Sequence, residues 1–295
     1  MMKTTPRIPA HAMLDVDAAT RYILSRECRQ GGYSFYRTPE WGVEEPNARD
    51  TLAALDSLLR LGVTPPQPER TLSWLQTLQY ENGSWATITI AWAACKALAL
   101  FGMQPKHDPS AWIHELWESR AATVENGADR DWRGTIIELY QLMQLTRLHA
   151  SDISSKLHRD LARFLNASRT RDGVWAKPGA DLETTGFAIE TARLGGLELA
   201  DASVAAWWRQ CEDPILGLRL TPSAGTTSTV ALWAGLELGA RLGIAARYPA
   251  AIATQLRLLQ HPSGGFSYRH KALPTLWDTW YGIKAACLLD GGPPD

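Results

Sequence analysis

The stretch Trp74-Leu75-Gln76-Thr77-Leu78-Gln79-Tyr80-Glu81-Asn82-Gly83-Ser84-Trp85 carries a pattern that returns along the chain. An apolar pair is followed four positions later by a polar residue, then by a glycine and an aromatic. It returns as Phe164-Leu165…Arg169…Gly173-Val174-Trp175 and as Gln255-Leu256…Gln260…Gly264-Gly265-Phe266. Near the start it reads Tyr22-Ile23…Glu27…Gly31-Gly32-Tyr33. Gly83 and Gly173 are 90 residues apart, Gly173 and Gly264 are 91. Half of that interval is about 45 residues, the period of a helical-pair repeat.

Working outward, each glycine-aromatic loop is followed by an apolar segment of helical length. These are Asp50–Leu61, Thr87–Leu100, Trp132–Leu145, Glu183–Leu194, Thr227–Leu242 and Leu276–Leu289. Most stop at a glycine (Gly62, Gly102, Gly195, Gly243, Gly291), which relieves the left-handed cap of a last turn. A second helical segment precedes each loop, near residues 15–28, 67–80, 110–122, 154–168, 200–211 and 246–260. Pro66, Pro109 and Pro249 lie near three of their starts. The segments after the loops are apolar on nearly all sides, as in Thr87-Ile88-Thr89-Ile90-Ala91-Trp92-Ala93-Ala94, and are expected to be buried. Those before the loops carry charge on one side, as in Ser155-Lys156-Leu157-His158-Arg159-Asp160, and are expected outside. Six inner helices ringed by six amphipathic ones make an all-α fold, an (α/α)6 barrel of six hairpins. The third and fifth repeats keep Trp112-Ile113 and Trp207-Trp208, but their loop motif is blurred. The expected organisation is a disordered arm over residues 1–12, a single barrel domain over 13–290 and a tail over 291–295.

Composition narrows the function. A hydrophobic content of 45% with 21% charge suits a soluble globular chain. A net charge of −1 gives no clustered basic excess for nucleic acid. The first residues lack the apolar run of a signal peptide, and no stretch approaches a membrane span, so a cytoplasmic location is expected. Cys28, Cys95, Cys211 and Cys287 form no CxxC pair and are expected as reduced, mostly buried thiols.

The repeat resembles that of squalene-hopene cyclases and protein prenyltransferases, and Arg70…Trp74-Leu75…Gln79…Gly83-Ser84-Trp85 closely matches the QW motif of triterpene cyclases. The resemblance spans about residues 15–290. It implies the same six-hairpin barrel, with chemistry at the end where the inner helices begin. Gln79 and Trp85 are expected to staple the fold rather than to touch a ligand.

The starts of the six inner segments should therefore face one cavity. Carboxylates there have an ordinary use, capping free backbone N–H groups, and Asp50, Asp129 and Asp131 are expected to do so. Asp181-Leu182-Glu183-Thr184-Thr185 resembles the Asp-x-Asp-Asp-Thr-Ala acid motif of class II terpene cyclases. The resemblance places Glu183 on the proton donor and Asp181 on its helper, with Thr184 in place of the last Asp. Asp278 is a second catalytic candidate. Protonating an alkene requires a carboxyl kept neutral by burial. The resulting carbocation requires aromatic faces, each contributing roughly 0.5–2 kcal/mol. Trp92, Trp132, Tyr140, Phe187, Trp233, Trp277, Trp280 and Tyr281 lie on inner segments and are candidate lining residues. Arg169, Arg171, Lys177, Arg269, His270 and Lys271 could hold a diphosphate through charge-assisted bonds.

The expected function is proton-initiated cyclisation of an isoprenoid, either a prenyl diphosphate or a prenylated small molecule. Two rival readings stand beside it: a prenyltransferase β-subunit-like protein, and a non-catalytic barrel binding an isoprenoid or a partner. The prenyltransferase resemblance would put zinc on an Asp-x-Cys and a later His, but Glu183 stands at the Cys and Asp278 at the His. No zinc is expected, whereas Mg²⁺ held by Asp181, Glu183 and Asp278 would suit a diphosphate substrate. An isoprenoid ligand leaves peripheral membrane contact and a protein partner open.

Overall fold

The computed structural model describes residues 12–126, 131–149, 155–175, 179–197 and 202–294. The expected arm (apart from Ala12), Asp129 and Lys177 lie outside these residues. Twelve helices are described, paired as the repeat predicts. The outer members are α1 (Val16–Leu24), α3 (Pro68–Thr77), α5 (Ser110–Asn126), α7 (Ser155–Ala167), α9 (Ala202–Gln210) and α11 (Pro249–Leu259). The inner members are α2 (Ala48–Arg60), α4 (Ile88–Ala99), α6 (Trp132–Leu148), α8 (Leu182–Leu194), α10 (Thr229–Arg241) and α12 (Leu276–Leu289). Each inner helix packs on the next, and α12 returns to α2, so the inner ring closes. Three two-residue antiparallel ladders sit in the loops: β1 (Arg37–Thr38) with β2 (Val43–Glu44), β3 (Glu212–Asp213) with β4 (Gly217–Leu218), and β5 (Phe266–Ser267) with β6 (Pro274–Thr275). Among the described residues no helix is long and apolar enough to cross a membrane.

The repeated motif is the joint between neighbouring hairpins. Its glycine takes positive φ at Gly31, Gly83, Gly173 and Gly264, a conformation glycine adopts without steric cost. It also meets the start of the next outer helix, since a Cβ at Gly83 would lie 2.3 Å from the Asp108 carbonyl oxygen and one at Gly264 1.9 Å from that of Ala18. The polar residue clips the same junction. Gln79 Nε2 donates to the carbonyls of Gly83 (3.0 Å) and His107 (2.8 Å), and its Oε1 accepts from His107 N at 2.9 Å. Gln260 repeats this on Gly264 and Asp15, tying the sixth hairpin to the first and closing the ring. Glu27 uses an ion pair with Arg70 instead, at 2.8 Å. The aromatic is buried as Tyr33, Trp85, Trp175 and Phe266. In three copies its N–H donates to a threonine hydroxyl on the inner helix, from Tyr33 to Thr51, Trp175 to Thr185 and Phe266 to Thr279. Thr185 of the acid-like motif is thus accounted for by the joint.

Two expectations are refined. The fifth repeat keeps the polar clip and the glycine, with one extra residue between them, but lacks the aromatic: Glu212 accepts from Arg247 N at 2.6 Å, a Cβ on Gly217 (φ +74) would press on Ile252 of α11, and Leu218-Arg219 follow the glycine. The left-handed residue after α8 is Gly196 (φ +73), one position beyond Gly195. All four cysteines are free, with Cys28, Cys95 and Cys211 buried.

Candidate active site

Each inner helix has a side-chain N-cap: Asn47, Thr87, Asp131, Asp181, Ser228 and Thr275. Counting from that cap puts the helices in register. The second residue after it is Arg49, Thr89, Arg133, Glu183, Val230 and Trp277, and all six line one cavity of about 400 Å³. At about 100° per residue, positions +2, +5, +6 and +9 share one face of a helix. The cavity follows that face downward through Trp92 and Trp233 (+5), Phe187 and Tyr281 (+6) and Tyr140 (+9). Its size is that of a small-molecule site.

The aromatic rings form a closed belt. Centroids lie 6.3 Å apart for Trp92–Tyr140, 4.5 Å for Tyr140–Phe187, 6.1 Å for Phe187–Trp233 and 4.4 Å for Trp233–Tyr281. Tyr281–Trp277 at 5.4 Å and Trp277–Trp92 at 6.4 Å complete the circuit, and Trp280 stacks on Tyr281. Lys284 also lines the cavity. Lys284 Nζ sits 4.6 Å from the Trp233 centroid and 4.3 Å from that of Trp280. Glu190, Glu237 and Arg241 line a second, smaller pocket, where Glu190 is bound by Arg193 and Arg241, and Glu237 by Arg241.

The mouth holds the titratable groups. Glu183 Oε1 accepts from the Tyr281 hydroxyl at 2.9 Å and Oε2 from Arg133 Nη2 at 2.7 Å. Its side chain is 11% exposed, against 49% for Arg133. Burial pushes the Glu183 pKa up, while the Arg133 charge and the Tyr281 hydrogen bond pull it down. Burial prevails and the pKa is raised. Burial works against the Arg133 charge too, but Asp181 and Glu183 outweigh it and raise its pKa. Arg49 lies over the Trp277 ring at 4.2 Å, which holds a second guanidinium at the rim. Asp278 is buried, and its two oxygens accept from Thr229 at 2.9 Å and Thr275 at 2.7 Å. Burial raises its pKa against those hydroxyls.

Of the residues expected at the site, Glu183, Asp278, Trp92, Tyr140, Phe187, Trp233, Trp277, Trp280 and Tyr281 line the cavity. Asp181 does not line it: Oδ1 caps α8 by accepting from Thr184 N at 2.7 Å, and Oδ2 lies 3.6 Å from Arg133. Trp132, one residue after its cap, is turned sideways onto Phe164. Arg169 serves the joint, its Nε donating to the Gly173 carbonyl at 2.8 Å. Arg171, Arg269, His270 and Lys271 are exposed loop residues outside the cavity lining. Asp50 is not the cap of α2; it accepts from Phe35 N and from the true cap, Asn47. Asp131 caps as expected. The cations at the mouth are Arg49 and Arg133, which the reading of loop charges passed over. Both stand two residues after a cap, the offset shared with Glu183, and aligning the caps would have found them. Asp181, Glu183 and Asp278 do not converge, and among the described residues no group of three His, Cys, Asp or Glu side chains is placed to hold a metal ion.

The fold so built is that of the type II terpene cyclases. A terpene cyclase from Scytonema, MstE, solved with its substrate geranylgeranyl dihydroxybenzoate, matches with a TM-score of 0.63 at 14% identity, covering 93% of this chain and 96% of that one. The same enzyme with its product, merosterolic acid A, matches at 0.59 and 14%, covering 92% and 95%. A protein from Actinoplanes matches at 0.55 and 15%, covering 95% and 98%. Comparison of the sequence with protein-family models and with curated proteins gives no match. At such identity the likeness establishes the fold, and the chemistry must be argued from the site.

Proposed function

We propose that the chain is a class II cyclase that protonates an isoprenoid and folds the resulting cation within the aromatic belt. The observation that carries this reading is the belt itself, closed around a cavity with a buried carboxyl at its mouth. Aromatic rings lining one volume can stabilise a cation along a folding chain. Glu183 is the proposed acid, because its helical position faces the cavity and it touches the belt through Tyr281. Asp278, one residue further round its helix, is turned toward α10 and is the second candidate. Asp181 is a positioning residue, capping α8 and drawing Arg133 toward Glu183. The substrate would carry an anionic head, such as the carboxylate or diphosphate that Arg49 and Arg133 are suited to bind. The geranylgeranyl dihydroxybenzoate of the Scytonema enzyme is of that kind. The separated carboxylates do not fit a protein-built Mg²⁺ site, so no step is drawn through the ion.

The test is incubation of pure protein with farnesyl and geranylgeranyl diphosphates, squalene and geranylgeranyl dihydroxybenzoate, followed by mass spectrometry. A cyclised product of unchanged mass is expected. Released diphosphate would contradict the class II assignment. One observation favours the binding-only rival, namely the ion pair between Glu183 and Arg133. That reading predicts tight binding with every substrate recovered intact. Trp41 and Leu273, 82% and 76% exposed on loops leading into inner helices, support peripheral membrane contact at the mouth. Loss of vesicle co-sedimentation in a Trp41→Ser/Leu273→Ser variant checks it, and unchanged binding, or none by the parent, would count against it.

A further inference from the structure

The Glu183–Arg133 pair poses a chemical problem that the geometry also answers. The Arg133 guanidinium pulls Glu183 toward the ionised form, which has no proton to give. Arg133 reaches Glu183 from the open side of the site, half exposed, while Tyr281 holds the other oxygen from the buried side. Arg49 stands at the same rim, fixed on Trp277. An anion arriving at the rim meets both guanidiniums, and a guanidinium offers five donors, enough to favour a bidentate bond to it. The other titratable groups facing this level are Asp181 from α8, Asp278 from α12 and Tyr268 from the β5–β6 loop, and α10 presents the apolar Val230. Among them Arg133 is the cation bonded to Glu183.

We propose that the anionic head of the substrate draws Arg133 off Glu183, so that binding the head group and loading the acid with its proton are one event. The inference rests on the reading of the site given above and adds its trigger. With Arg133 engaged elsewhere, Glu183 keeps a neutral tyrosine donor, remains out of water and has Asp181 nearby. Burial and the Asp181 charge favour the neutral carboxyl and then oppose only the weaker pull of the Tyr281 donor. Glu183 takes its proton from solvent before the mouth is covered. In the reaction the alkene's π electrons form the new C–H bond as the O–H bond breaks, leaving the electron pair on the carboxylate. The final cation loses a proton, so the product has the substrate's mass. While Arg133 is bonded to Glu183 the acid is masked, and a neutral isoprenoid is bound without being protonated.

The experiment uses two saturated probes that cannot react, hexahydrofarnesyl carboxylic acid and the matching alcohol, hexahydrofarnesol. Each is titrated into the full-length protein by calorimetry near neutral pH, in buffers of different ionisation enthalpy, to count protons exchanged on binding. The carboxylate is expected to take up a measurable fraction of a proton per molecule bound, and the alcohol none. Uptake should vanish in Glu183→Gln, which should bind the carboxylate at least as well because Arg133 is freed. Arg133→Gln should lose the uptake as well, since no guanidinium then leaves Glu183 when the carboxylate binds. Carboxylate binding without uptake, or uptake that persists in Glu183→Gln, would overturn the trigger and leave the isoprenoid reading standing. Failure of both probes to bind would remove that reading and the trigger with it.

Discussion

Gly264→Ala should do more harm than any other single methyl group added to a motif glycine, because Gly264 lies where the ring closes. Its φ of +100 is left-handed, and the new Cβ would sit 1.9 Å from the Ala18 carbonyl oxygen and 2.3 Å from its carbon. Both atoms belong to the backbone of α1, so relief requires moving that helix. The conformation costs about 1–2 kcal/mol. Moving α1 breaks the two hydrogen bonds between Gln260 and Asp15, at 2.7 and 2.9 Å, each worth about 1 kcal/mol. The stiffer unfolded chain returns about 0.4–1 kcal/mol. The net loss is therefore about 3 kcal/mol. Two controls isolate the parts. Gly102 has φ +68 with nothing within 4 Å, so Gly102→Ala carries the conformational cost alone. Gly225 has open space and no left-handed φ, so Gly225→Ala should be neutral or slightly stabilising. Urea unfolding of the three variants beside the parent gives the comparison. If Gly264→Ala were no less stable than Gly102→Ala, the glycine would not be a joint, and the account of how the barrel closes would fail.

Gln79→Ala removes two hydrogen bonds between the second and third hairpins and one within the second hairpin's loop and should cost about 2–3 kcal/mol in the same assay; a loss below that of an exposed substitution would refute the clip. Burial holds the Asp278 pKa above its unfolded value. Its stabilising contribution is therefore complete below the unfolded pKa and is lost as pH rises through the folded one. Asp278→Asn should flatten that decline, and parallel pH profiles for variant and parent would contradict the assignment. Trp233→Leu opens the belt at its 4.4 Å stack with Tyr281. It should weaken binding of an ammonium-bearing isoprenoid analogue about tenfold more than that of its neutral isostere, the equivalent of one cation–π contact. Equal losses for the two would make the ring mere packing.

The fold was legible because its joint is written in residues with one use each: a glycine for a left-handed close approach, a polar clip, and an aromatic to bury. Four copies in phase place the helices to within a few residues, and apolarity separates inner from outer. The fifth copy was hidden by one inserted residue before Gly217, which a fixed-spacing search steps over, and by Leu218-Arg219 in place of the aromatic. The site was legible where side chains are large. Six of the expected aromatics close the belt and Trp280 stands beside them, while Trp132 fell away because one position along a helix is a turn of about 100°. The charged residues were harder. A cap and an acid look alike in sequence, so Asp181 was placed with Glu183 although its oxygens serve its own helix. Arg49 and Arg133 went unmarked because a loop charge and a rim charge differ only in register, which the six caps fix.

The most direct test of the central claim is to run the reaction in deuterated water. Protonation by Glu183 predicts a cyclised product heavier by one deuterium, formed by the parent and absent with a folded Glu183→Gln variant. A cyclised product carrying no deuterium, or one formed as readily by Glu183→Gln, would contradict the account.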